Sequence, residues 1–520
     1  MTEPGGALLQ HPRRWALEDP ARTAILMGAT GERISYGELD ARANRCAHLL
    51  RQLGLQRGDH VALLIENHPR FLEIAWAAQN AGLYYTPISW RFREEEIAFI
   101  LRDCGARVLF HSAQQAEMAD ALGAHLPDLV LVGVEHEAPG RLSYPEAAAG
   151  FPPTPVADES RGSDMLYSSG STGRPKGIKQ ELRNTNIDGL SPMFAIYAER
   201  YGWGPETVYL MPCPLYHSGP LRFAMAMQQV GARLIVMDRF DALPALDLIE
   251  RHRVTNAHFV PTMFVRLLKL PEEERARRDV SSVRSVVHGA APIGVEVKRA
   301  MIAWLGPILE ESYGGTEGNG LTMITSAEWL EHPGSVGRPY LGRVDIVGED
   351  GRDLPPGEIG LVWFSGGPGF SYHNDPERTA AAFDARGRST LGDIGYLDAE
   401  GYLYLTDRKD HMVISGGVNV YPQEAEHVLV THPAVADAAV FGVPDEDMGE
   451  ALHAVVQPLS ADAAGDALAG ELIAYCRSRL ASIKCPRSIS FSNALPRHDT
   501  GKIYTRLVRQ AWLEAQGTPC

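Results

Sequence analysis

Apolar and polar positions alternate along this chain in a way that predicts layered strands and helices. Val61–Ile65 is an unbroken apolar run, as expected of a strand covered on both faces. Helical composition follows over Phe71–Ala81, then a second strand-like run over Tyr84–Ile88. The order returns at Arg233–Met237, Ala242–His252 and Ala257–Val260. Such strand–helix alternation predicts α/β layers with parallel pairing. One helix start is explicit. In Ile34-Ser-Tyr-Gly-Glu38-Leu39, Ser35 can cap, Glu38 can reach back to the cap amide, and Ile34 can pack on Leu39. That helix runs through Ala43, Ala47 and Leu50 and stops at Gly54. After Leu405 the texture changes. Ala438–Phe441 and Leu452–Val456 read as strands joined by the turn-rich PDEDMGE, and Ala467–Leu480 reads as a helix. A compact α+β module of about a hundred residues is a plausible independent domain. The expected division is a large multi-layer α/β domain over 1–409 and a small α+β domain over 410–520, with the boundary at Asp410.

A length of 520 residues supports this division, since it exceeds one ordinary core. The 49 basic and 65 acidic residues leave a net charge of -16, which argues against a general nucleic-acid binder. Any anion site must therefore concentrate its positive charge locally. Six cysteines (Cys46, Cys104, Cys213, Cys476, Cys485 and Cys520) contain no CxxC pair, so they read as reduced thiols of a cytoplasmic protein. No window has the roughly 18 uninterrupted apolar residues of a membrane span. The first residues carry neither a long apolar core nor a cleavage signature.

Chemistry concentrates in six clusters. Tyr167–Lys179 reads YSSGSTGRPKGIK. Its glycines allow a tight turn that presents backbone N–H groups, its hydroxyls add donors and its lysines add charge, which suits a polyphosphate. The spacing fits neither G-x-x-x-x-G-K-[ST] nor G-x-G-x-x-G. The second cluster is Pro214–Gly219, with His217 among apolar neighbours; alone, such a histidine is more often a packed core residue. The third is Glu311-Ser-Tyr-Gly-Gly-Thr-Glu317-Gly318, preceded by Gly289-Ala-Ala291. Tyr313 offers a ring face, Thr316 a hydroxyl and Glu317 a hard oxygen of the kind Mg²⁺ takes. The fourth is Leu391-Gly-Asp393. The fifth is Asp407-Arg408-Lys-Asp410 with Ile414-Ser-Gly416-Gly417. The last is Leu495-Pro-Arg-His-Asp-Thr-Gly501-Lys502-Ile503. The phosphate reading of the first cluster is favoured over a plain surface loop, whereas each of the last four taken singly also reads as an ordinary turn, loop or solvated charge.

In order and spacing the six clusters together resemble the adenylate-forming superfamily of acyl-CoA synthetases, peptide-synthetase adenylation domains and beetle luciferases. ISYGEL at Ile34 and AGLYYTPIS from Ala81 extend the resemblance over nearly the whole chain. It implies a phosphate-binding loop of Ser168, Ser169, Gly170, Ser171, Thr172, Gly173 and Lys176. It also implies an adenine site of Gly289, Ala290, Ala291, Glu311, Ser312, Tyr313 and Gly314, and a ribose clamp of Asp393 with Arg408. Glu317 and Thr172 would hold Mg²⁺. His217 and Thr316 would position the reacting groups, and Lys502 would stabilise charge developing between the acid and the α-phosphate. Asp410 would be the hinge of a mobile small domain, and Gly416 and Gly417 would pass close to the thiol of coenzyme A. Ser168 and Ser171 stand where Thr is common, and two further positions depart from the common pattern. Glu311 replaces Gln or Asn, and Leu391 replaces Thr.

The resemblance implies an AMP-forming acyl-CoA ligase that uses ATP, Mg²⁺ and CoA through an acyl-adenylate. The candidate acid pocket, His217, Ser218, Gly219, Leu221, Met225, Gly314 and Gly315, is mostly small or apolar. It suits a medium- or long-chain fatty acid, or a steroid or aromatic acid, provided that Arg222 does not point inward. Ser218 stands where amino-acid-activating domains carry Asp, so a zwitterionic substrate is disfavoured. Two alternatives are transfer of the acyl group to a separate carrier protein and a non-catalytic nucleotide-binding protein on the same fold. Partners other than the small molecules, including further copies of the chain, are not fixed by the sequence.

Overall fold

The computed structural model describes residues 10–516 except 139–140, 169–174, 183–184, 368, 409–411, 416–417, 446–447 and 498–502, and leaves aside the side chains of residues 407, 408, 414 and 419. The apolar run near Val61 forms the strand His60–Leu64, buried at every position. It is central in a six-stranded, wholly parallel sheet running from Leu142–Tyr144 to Ser163–Asp164. The helix Pro69–Asn80 is buried on nearly all sides, because it lies between that sheet and a second one. The capping box forms as read: Ser35 Oγ accepts from the Glu38 amide at 3.2 Å, and a Glu38 carboxylate oxygen accepts from the Ser35 amide at 2.9 Å. The helix spans Tyr36–Gln52, and Gly54 follows with a positive φ of 82°.

The second sheet has 13 strands. Thr23–Met27, Arg233–Val236, Val208–Met211, Asn256–Phe259, Ser285–Gly289 and Leu309–Tyr313 pair in parallel. Beyond Tyr313 the pairing turns antiparallel, through Leu321–Thr325, Ser335–Leu341, Leu403–Arg408, Ser389–Leu397, Gly360–Ser365 and Arg343–Val347. The expectation of parallel layers therefore holds only as far as Tyr313. Beyond it neighbouring strands run antiparallel, some joined by a short turn, as Leu397 to Leu403, and others by a longer segment, as Ser365 to Ser389 with the helix Pro376–Ala381 between them.

A separate core, with Val413, Leu429, Val440, Leu452 and Leu472 among its members, organises the small C-terminal domain. The two strands expected there are longer than their apolar centres. Val435–Asp445 pairs antiparallel with Gly449–Pro458 along the whole of both strands. The helix Asp466–Arg477 stops short of Leu480. The small domain rests on the large one partly through Lys269, whose ammonium donates to the Val435 and Ala436 carbonyls. The expected hinge Asp410 lies outside the described residues.

Candidate active site

The ends of the glycine-rich loop form a short antiparallel hairpin. Lys176 faces Ser168, and Gly177 faces Tyr167. Ser169, Gly170, Ser171, Thr172 and Gly173 lie outside the described residues. Ser168 Oγ is buried and has no hydrogen-bond partner. Lys176 Nζ donates to Glu317 Oε1 at 3.0 Å and to the Tyr372 hydroxyl at 2.9 Å, and that hydroxyl donates to the same carboxylate oxygen at 2.9 Å. Burial would raise the Glu317 pKa. The charge of Lys176 and hydrogen bonds from its ammonium, from Tyr372 and from the backbone outweigh burial and hold the carboxyl below its ordinary value. Glu317 is therefore an ionised carboxylate at neutral pH, 6% exposed.

Four of the sequence clusters meet here. Tyr313 donates from its hydroxyl to Asp393 Oδ2 at 2.6 Å, and Asp393 sits opposite Arg408 across paired strands. The hydroxyls of Ser218 and Thr316 are 3.1 Å apart. His217 immediately precedes the helix Ser218–Gln229 and tilts against Tyr216, with ring centroids 4.6 Å apart. Gly289 must be glycine, since a Cβ there would stand 2.4 Å from the Ser312 carbonyl of the adjacent strand. Ala290 holds a positive φ of 66°, an uncommon conformation for a residue with a side chain. Ala291, Gly314 and Gly315 complete the floor.

These groups line one cavity of about 2690 Å³, larger than the few hundred to a thousand cubic ångströms usual for one small ligand. Every described site residue predicted from sequence lines it except Leu221, which is fully buried in the large core. Leu221 is turned away from the cavity, as are Ala224 and Gln228 of the same helix, and its neighbour Arg222 faces the cavity instead. The Arg222 guanidinium donates to Asp164 Oδ2 at 3.1 and 2.8 Å and to the Thr316 carbonyl at 3.3 Å. Its charge is thus neutralised, but the inner wall is more polar than the sequence suggested. Trp76, Tyr85 and Met225 line it together with Gln79, Arg161 and His258.

Glu311 has a partner that the sequence did not show. Its Oε2 is 2.5 Å from Lys298 Nζ, with the two side chains 4% and 0% exposed. Burial pushes Lys298 down and Glu311 up, against their mutual attraction. One oxygen of the carboxylate is therefore committed to the helix behind the strand, while Glu311 still lines the cavity. Tyr372, Lys298 and Asp164 were not found from the sequence. Lys298 carries no distinguishing signal, because Glu296 and Arg299 stand beside it in VEVKRAMIAWL.

Lys502, Gly416 and Gly417 lie outside the described residues, as does the Arg408 side chain. Their neighbours Met412, Val413, Arg497, Ile503 and Tyr504 line the same cavity. No group of three His, Cys, Asp or Glu that could hold a metal occurs among the described residues. Mg²⁺ nonetheless fits, because it is commonly held by one or two carboxylates together with substrate phosphates and water. The ionised Glu317, which lines the cavity, is suited to such a shared ion. Also among the described residues, no helix is long and apolar enough to cross a membrane.

Known proteins agree with this arrangement. The family described as AMP-binding enzyme matches residues 11–371, and its C-terminal domain matches 424–502. A long-chain-fatty-acid–CoA ligase of Mycobacterium tuberculosis is 34% identical over 516 residues, covering 96% of this chain and 97% of that protein. A feruloyl-CoA synthase of Amycolatopsis is 34% identical over 505 residues, covering 96% and 98%. The solved structure of ATP-bound MatB from Rhodopseudomonas palustris superposes with a TM-score of 0.80 at 30% identity, covering 98% and 99%. The chain belongs to the AMP-binding enzyme family and is an AMP-forming acid–thiol ligase working with ATP, Mg²⁺ and coenzyme A.

Proposed function

We propose that this enzyme converts a hydrophobic carboxylic acid, a medium- or long-chain fatty acid or a steroid or aromatic acid, into its CoA thioester. The acid's carboxylate attacks the α-phosphorus of ATP and expels pyrophosphate, and the CoA thiolate then displaces AMP from the mixed anhydride. The observation that carries this reading is the hydrogen-bonded trio of Lys176, Glu317 and Tyr372 facing the same cavity as Asp393, Tyr313 and the Ser218–Thr316 pair. Lys176 and the 168–173 loop hold the triphosphate, while Asp393 and Arg408 hold the ribose. The base lies against Gly289–Ala291 and Tyr313. Mg²⁺, when bound at Glu317 with Thr172 beside it, offsets phosphate charge. His217 positions the acid, and Thr316 offers its hydroxyl to the phosphate. Lys502 stabilises the charge of the first transition state, and loss of a donor so placed typically costs ~10² to 10³ in rate. The small domain turns about Asp410 to bring Gly416 and Gly417 to the thiol.

A panel of acids scored for CoA-dependent AMP formation, repeated with Lys502→Ala and Gly417→Trp, tests the assignment. Lys502→Ala should abolish pyrophosphate release yet pass supplied acyl-adenylate to CoA, and Gly417→Trp should do the reverse. Equal loss of both half-reactions in either variant would overturn the division of roles. AMP formation that needs a carrier protein in place of CoA would move the enzyme to the carrier-loading class.

A further inference from the structure

His258 is a polar group of the cavity wall that the reaction leaves unused. It sits on the strand Asn256–Phe259, 6% exposed, between the helix Ser218–Gln229 and the strand Ser285–Gly289. The edge of its ring meets Phe223, with centroids 4.7 Å apart at 74°. Its Nδ1 is buried and has no hydrogen-bond partner among the described residues. The opposite edge faces Gly219: a Cβ built there would lie 3.6 Å from Cε1 and 3.9 Å from Nε2. Nε2 is not among the buried unpartnered atoms, and the residue lines the cavity, so this edge opens on the space beside Ser218 and Gly219.

The ring's chemistry follows from its surroundings. Burial pushes the imidazole pKa down to about 4, and no charged group opposes it, so the ring is neutral in the physiological range. A neutral imidazole carries one N–H and one acceptor nitrogen. A buried N–H without a partner is the rarer orphan, and an acceptor lone pair is left unfilled more readily. The proton therefore belongs on Nε2, where it points into the cavity as a lone donor. An alkyl chain lying against that donor would desolvate it without compensation. An oxygen in the same place would satisfy it. The Gly219 position keeps the approach open, because any side chain there would stand between the ring and the cavity.

We propose that His258 is a specificity-determining residue whose Nε2–H selects, within the hydrophobic class of acids proposed above, those carrying a hydrogen-bond-accepting oxygen on the carbon skeleton. That oxygen is a ring hydroxyl, an ether or a ketone, and a plain alkyl or aryl acid is the disfavoured substrate. The inference rests on the acid-activating reading of the same cavity. It accommodates the Arg222–Asp164 pair, since a wall with this many polar groups would be costly to cover with hydrocarbon alone.

The test compares matched acids: cinnamate with its 4-hydroxy and 4-methoxy derivatives, and decanoate with its keto analogues. AMP formation gives kcat/KM for each acid, and calorimetry gives its binding to the enzyme with ATP absent. The wild-type enzyme should prefer an oxygenated member by about tenfold or more in at least one series. His258→Phe should bring that preference within about twofold, by raising KM for the oxygenated acid and lowering it for the plain acid, which no longer covers an unpaired donor. His258→Gln, which keeps a donor, should restore part of it. Equal preference in the wild type, or a uniform loss over all acids in His258→Phe, overturns the proposal. Selective binding without any turnover would sink the ligase reading and leave the selection by His258 standing.

Discussion

Replacing Lys298 with Met tests whether the Lys298–Glu311 pair is a structural clamp or part of the nucleotide site. Lys298 Nζ is 2.5 Å from Glu311 Oε2 and 4.9 Å from the centre of the Trp329 ring, and all three residues are buried. Lys298→Met preserves most of the volume and leaves the carboxylate uncompensated. Breaking one side of such a pair costs about 3–5 kcal/mol, whereas removing both charges is often neutral. At ~2.1 cal/mol/K per residue the domain matched over residues 11–371 has an unfolding entropy near 0.8 kcal/mol/K. The single variant should therefore lower the large-domain Tm by about 4–7 °C in differential scanning calorimetry. Glu311→Gln alone should do much the same, while the double variant Lys298→Met/Glu311→Gln should recover most of the loss, because the two substitutions couple through one contact. ATP binding should survive in the double variant. A double variant as unstable as the sum of the singles would refute the pairing, and lost ATP affinity at full stability would place Glu311 in the adenine site.

Lys176→Met removes the main group opposing the effect of burial on Glu317, so that residue's pKa should rise. Glu317 acts as a carboxylate, and its contribution is lost as pH falls through its folded pKa. The acid limb of pyrophosphate exchange should therefore move to higher pH in the variant, and an unmoved limb would show that Glu317 does not govern it. Gly289→Ala places a methyl group 2.4 Å from the Ser312 carbonyl. It should part the two strands, lowering both Tm and ATP affinity by calorimetry; wild-type values for both would mean that the strands separate at no cost.

Local signals were legible wherever the physics is local. The capping box at Ser35 and Glu38, the doubly buried strand around Val61 and the order of the six chemical clusters all depend on residues a few positions apart. Those features determined the α/β class, the division into a large and a small core, and the chemistry for ATP and an acid. Periodicity identifies which side of an element is buried but not what it meets. Tyr372 reaches Lys176 from 196 residues away and Asp164 meets Arg222 across 58, so neither contact has a local trace. Leu221 and Arg222 show the same limit within one helix, because a step of one residue turns a side chain by roughly a quarter turn or more and exchanges core for cavity. The sequence thus determined the reagents and their order along the chain. The tertiary structure decided which charges are neutralised, which strands fold back antiparallel beyond Tyr313, and which polar edge, that of His258, is left facing the acid, because each of these depends on distances set by chain crossings.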